Sequence, residues 1–273
     1  MSDIDALAEL QHRRRDYIKT INANTNRARA FVRRAIGWNP NATEEGREKI
    51  NAKAATIVAK AFAGKGCEVP EVQTDLEVIS QSLEPLKKMR GGIEKEMRKI
   101  SKRLPVWEWA EGIRGLGDLG CAVIVAECGD LSNYNNPAKV WKRLGLAPVE
   151  KGGISMAASN WRLKGGLTSE DWTKIGYSPC RRAEIFACIG DPLFRAQSVV
   201  VGPYRQAYDR RRARTAETHP DWTKGHRHGD AVRVMTKELL RDFWGAWNGE
   251  RANYHLAPNV GVPSLHLISA EAA

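Results

Sequence analysis

None of the five cysteines (Cys67, Cys121, Cys128, Cys180, Cys188) belongs to a C-x-x-C pair. An odd, scattered set excludes a disulfide framework and points to reduced thiols in a cytoplasmic, nucleoid-associated protein. No apolar run reaches the roughly 18 residues that a membrane span needs. The N-terminus, Ser2-Asp3-Ile4-Asp5, lacks an apolar signal region, so no membrane partner is expected. His219, His226 and His228 cluster around Trp222, but without an H-x-x-x-H pair or accompanying cysteines. No metal or other cofactor is expected from them. Acid is scarce: 32 Asp and Glu stand against 43 Lys and Arg, a net charge of +11. A pI near 9.5 favours a polyanionic partner.

The patterning that is present is helical. Between positions 3 and about 36, Leu7, Leu10, Tyr17, Ile21, Ala28, Phe31 and Ala35 recur at three-four spacing. Arg14 and Asn24 share that seam. Eight cations lie here, and Asp16 is the only acid between positions 11 and 40. This bias suits phosphate contact, with plain solubility as the alternative. Gly37-Trp38-Asn39-Pro40 ends the helix, and Thr43 is placed to cap a second one. From Leu76 to Leu104 a heptad seam runs through Ile79, Leu83, Leu86, Ile93, Met97 and Ile100, with Arg90 as its polar position. Pro85 and Gly91-Gly92 predict a kink or an interruption. The seam supports either a homodimer through residues 76–104 or an intramolecular hairpin against the first helix.

A short helix from Trp107 is followed by Ile113-Arg114-Gly115-Leu116-Gly117 and an apolar helix from Asp118 to Cys128. Two glycines permit positive φ and a tight hairpin, whose amides would face outward at a helix N-terminus. That is the pattern of a helix-hairpin-helix, a backbone-gripping and sequence-blind DNA contact. Asn136-Pro137 starts the next helix, which carries Lys139, Lys142 and Arg143 and closes at Gly145-Leu146-Ala147-Pro148. Later signals predict a helix that ends at Asp191-Pro192, a basic helix from Gly202-Pro203, and a last helix from about Asp230 to Trp247.

Ile113-Arg-Gly-Leu-Gly, Gly129-Asp130, Pro137 and Gly145-Leu146-Ala147-Pro148 together resemble the C-terminal domain of IS110/IS116/IS902-family transposases. Lys174-Ile175-Gly176 followed by Arg181-Arg182 is similar to a later segment of that family. The resemblance covers residues 107 to about 190. It implies a DNA partner and a transposase ancestry, as in a phage or other mobile element. The family's RuvC-like N-terminal domain has no counterpart, because the first hundred residues are helical in pattern. Where the family carries its serine, this chain has Glu150-Lys151-Gly152-Gly153, which leaves Ser155 as a weak catalytic candidate.

The expected fold is mainly α: a helical, partly coiled-coil domain over 1–104, a helix-hairpin-helix domain over 105–250, and an irregular tail over 251–273. The expected function is non-catalytic, largely sequence-independent DNA binding, with RNA as the alternative polyanion. The expected contacts are Arg114, Gly115, Leu116 and Gly117 in the hairpin, then Lys139, Lys142 and Arg143. Arg162 and Lys164 beside Trp161, then Lys174, Arg181 and Arg182, continue the set. Arg205, Arg210, Arg211 and Arg212 complete it. Two alternatives stand beside this reading. One is a serine-dependent recombinase subunit with a separate RuvC-like partner and a guide RNA. The other is a coiled-coil interaction module.

Overall fold

The computed structural model describes residues 2–147 and 178–249, with the backbone of 150–151 and 154–155. The chain is mainly helical. In order come α1 (Asp3–Ala35), α2 (Glu44–Phe62), α3 (Gln73–Ser101), α4 (Trp107–Glu111), α5 (Gly117–Cys128) and α6 (Pro137–Arg143). After a two-residue antiparallel pair, β1 (Glu150–Lys151) with β2 (Ile154–Ser155), follow α7 (Pro179–Ile185) and a π turn (Phe186–Gly190). The last elements are α8 (Asp191–Val199), α9 (Pro203–Thr218) and α10 (Lys224–Trp247). Residues 156–177, the tail from 251, and thus Arg162, Lys164 and Lys174, lie outside the described residues.

The helix boundaries have local causes. Thr43, Asn136, Ser178 and Thr223 each accept a backbone N–H in the first turn of the helix they precede. Pro137, Pro179 and Pro203 sit where a missing N–H costs no helical bond. The Thr223 cap starts α10 six residues before Asp230, where apolar periodicity alone placed it.

Two other boundaries differ from expectation. Helix α3 runs through Pro85 and Gly91-Gly92 without interruption. Pro85 and Gln81, whose carbonyl loses its donor, are both exposed, so water satisfies the freed group. Likewise Asp191-Pro192 does not stop its helix. The π turn shifts the ladder so that Asp191 N–H bonds to the Phe186 carbonyl, and Pro192 falls at the start of a fresh α segment.

The chain divides into two compact units. One is Leu10–Glu96; the other joins residues up to Glu9 with the chain from Met97. The division therefore falls near Glu96 rather than at 104, and the N-terminus belongs with the second unit. Asp3 explains this, since its carboxylate accepts both Nε (3.1 Å) and Nη2 (2.5 Å) of Arg103. Those hydrogen bonds hold the Asp3 carboxyl below its ordinary range.

In the first unit, Ala28 and Val32 of α1, Ala54, Ile57 and Val58 of α2, and Val72 and Leu76 share one apolar cluster. The polar seam residues meet as well: Arg14 donates to Glu94 at 2.8 Å, and Arg90 approaches the same carboxylate at 3.4 Å. Pairing Val32 with Leu76 at one end and Arg14 with Glu94 at the other makes α1 and α3 antiparallel. Leu76, Leu83, Ile93, Met97, Ile100 and Leu104 are all buried within a single chain. Ile79 and Leu86 of the same seam are half-buried.

In the second unit, α5 is buried on every side, from Cys121 through Val125, and α10 presents Val232, Met235, Leu239 and Phe243 to the same core. Trp109 meets Phe243 edge to face at 5.8 Å. Three indole N–H groups tie α10 to the segment after α5. Trp141 donates to the Lys237 carbonyl, Trp244 to the Tyr134 carbonyl and Trp247 to Asp130.

Burial pushes the Cys121 and Cys128 thiols up to about 12, while Cys180 is exposed. Because the thiolate is the reactive form, a maleimide at pH 8 is expected to label Cys180 first. Cys121 and Cys128 should remain unlabelled until denaturant is added, as read by peptide mass spectrometry. Early labelling of either one would contradict this core.

Candidate functional site

Gly115 and Gly117, between α4 and α5, take the positive φ expected of them, +97° and +62°. The surroundings of Gly115 differ from expectation. A Cβ on Gly115 would lie 2.8 Å from the Ala196 Cβ and 2.9 Å from the Leu193 Cα, so this glycine faces α8 rather than solvent. Leu116 is buried, and its N–H already bonds to the Ile113 carbonyl. The start of α5 also has its own anion: Asp118 accepts from Leu119 N–H at 2.8 Å and from Arg98. A helix N-terminus occupied by a carboxylate is a poorer phosphate site than a vacant one. Gly115 and Leu116 are therefore packing residues, whereas Arg114 and Gly117 are exposed.

Structural bonds also take up several cations of the basic helix α9. Arg205 pairs with Asp209 and lies over the rings of Phe194 and Tyr208, at 5.0 and 5.3 Å. Arg211 turns inward to Asp230, and Arg212 donates to the Tyr208 hydroxyl. Arg210 faces solvent. The histidines form no metal-like group. His219 and His226 stack on opposite sides of the Trp222 ring, at 4.2 and 4.0 Å, and His228 bonds through Nδ1 to the Tyr208 hydroxyl. Among the described residues, no set of three or more His, Cys, Asp or Glu is arranged to hold a metal ion. The described part of the Ser155 region is backbone alone, paired with Glu150.

The cations that do converge come from α6, α7 and α10. Glu127, buried at the end of α5, organises the first group. Its carboxylate accepts Arg181 Nε at 2.9 Å, and its backbone carbonyl accepts Arg143 Nε at 3.0 Å. Asp230, buried in α10, organises the second group by accepting Arg211 and Arg233. Arg233 also reaches the Leu146 carbonyl at 3.5 Å, which ties α10 to the Gly-Leu-Ala-Pro turn. The backbone of Gly145 lets the start of α7 approach this turn, since a Cβ there would meet the Ser178 carbonyl at 2.8 Å. One turn beyond Arg233, Lys237 lies 4.8 Å from the Trp141 ring. Burial, and after it Arg233, push the Lys237 ammonium below its ordinary range.

Lys139, Lys142, Arg143, Arg181, Arg182, Arg233 and Lys237 thus stand on three connected helices. The buried carboxylates among them are Glu127 and Asp230. Glu184 and Glu238 are bonded to Cys188 and Arg241. Lys139, Lys142 and Arg182 form no ion pair among the described residues. Sequence reasoning found five of the seven cations. It missed Arg233 and Lys237, which sit in a helix whose regular apolar face reads as core. The spacing Asp230-x-x-Arg233-x-x-x-Lys237 was the available signal, since it stacks one acid and two cations along a helix face.

Comparison with known proteins finds no matching family model, no matching curated protein and no matching solved structure.

Proposed function

We propose that the chain is a non-catalytic nucleic-acid-binding protein that grips the DNA backbone with the α6–α7–α10 face. The observation that carries this reading is the excess of guanidinium and ammonium groups gathered there around two buried carboxylates. A surface built only for solubility mixes charges of both signs. Here Glu127 and Asp230 point inward and fix arginines, and Lys139 and Lys142 face outward. Phosphate contacts of this kind position a protein without reading sequence. The motif order from Ile113 to Pro148 supports a transposase-derived ancestry, with the hairpin serving as a structural joint of the domain.

Lys139→Gln with Lys142→Gln is the test, because both side chains are exposed and the substitutions leave the fold alone. On unrelated duplexes, the slope of log K against log salt is expected to fall by about 2, at roughly 0.9 for each phosphate no longer neutralised. The loss should be the same for each sequence. An unchanged slope, or strong preference of the wild type for one duplex, would overturn the proposal.

A further inference from the structure

A shallow recess lies on this same face, floored by Leu146, Ile185 and Val232 and flanked by Arg182, Arg233 and Phe186. Phe186 is 42 % exposed, an unusual position for a phenylalanine ring. It opens the π turn, a helix irregularity found disproportionately at functional sites. The two arginines differ in state: Arg233 is held by Asp230 and the Leu146 carbonyl, whereas Arg182 makes no ion pair among the described residues. A purely apolar occupant would desolvate the Arg182 guanidinium without pairing it. A simple anion would leave the Phe186 ring and the apolar floor in water. A base carrying its own phosphate satisfies both requirements.

We propose that this recess receives one unpaired base of a single DNA strand, stacked on Phe186, with its phosphate on Arg182. In a duplex the base faces are already stacked, so the recess discriminates single strands from duplexes. The proposal rests on the DNA-binding reading above, and the test separates the two.

Binding is measured for three probes: a 20-nucleotide oligothymidine, an abasic strand of equal phosphate number, and a 20-base-pair duplex. Wild type is expected to prefer oligothymidine over the abasic strand. Phe186→Ala is expected to weaken oligothymidine binding roughly five- to a hundredfold, the range of base–aromatic stacking. The abasic strand and the duplex should stay within about twofold. Phe186→Trp, which keeps an aromatic face, should retain the preference, and circular dichroism checks the fold of both variants. Equal affinity of wild type for oligothymidine and the abasic strand, or an equal loss on all three probes, would overturn the recess and leave backbone binding intact. Failure of the wild type to bind any probe would overturn both.

Discussion

Gly115→Val is expected to lower the stability of the folded chain by about 2–6 kcal/mol, the sum of left-handed backbone strain and overpacking. Valine at φ +97° is strained in itself. Its Cβ would also collide with the Ala196 Cβ, the Leu193 Cα and, at 3.1 Å, the Pro192 carbonyl oxygen. Two of those atoms are backbone of α8 and cannot step aside by changing rotamer. Gly117→Val meets no atom within 4 Å, so it carries only the strain of its φ of +62°, about 1–3 kcal/mol. Urea unfolding at unchanged m separates the two variants by their midpoints. Equal losses would mean that α8 does not pack on Gly115. The contrast also bears on function. Had both glycines served to admit a phosphate, both variants would lose DNA affinity rather than differ in folding.

The second large effect concerns Asp230. Asp230→Ala leaves the partly buried guanidinium groups of Arg211 and Arg233 without their shared carboxylate. The expected loss is about 2–4 kcal/mol, near the low end of the range for broken buried pairs because both arginines keep some access to water. The same group gives the protein a pH dependence. Burial works to raise the Asp230 carboxyl, but the hydrogen bonds from Arg211 and Arg233 outweigh it and hold the group below its ordinary value. Its stabilisation is therefore present above the ordinary carboxylate range and lost as pH falls through the lowered value. Asp242 has the opposite sign. Burial raises its carboxyl beyond what Arg241 and the Tyr204 hydroxyl offset, so protonation at low pH favours the folded state there. The informative quantity is thus the difference between wild type and Asp230→Asn over the acid range. Stability of the wild type should fall more steeply below about pH 4 than that of the variant. Parallel curves would mean that Asp230 does not clamp the two arginines.

Capping chemistry and apolar periodicity were enough to place most of the helices. Asn136-Pro137 and Ser178-Pro179 each carry a local start signal, and the seam from Leu76 to Leu104 has helical spacing throughout. The positive φ values at Gly115 and Gly117 were legible for the same reason, since a Gly-x-Gly hairpin is a short-range backbone constraint. What lies across from those residues is a long-range fact. Sequence spacing cannot show that α8, nearly eighty residues on, fills the space beside Gly115. Nor can it show that Arg181 and Arg211 are turned inward to Glu127 and Asp230 while Lys139 and Lys142 are left to the solvent. A run of arginines determines net charge. Which arginines hold the fold and which remain to meet a ligand is decided by the buried carboxylates that tertiary packing brings to them, because a buried charge must find its counter-ion within the protein.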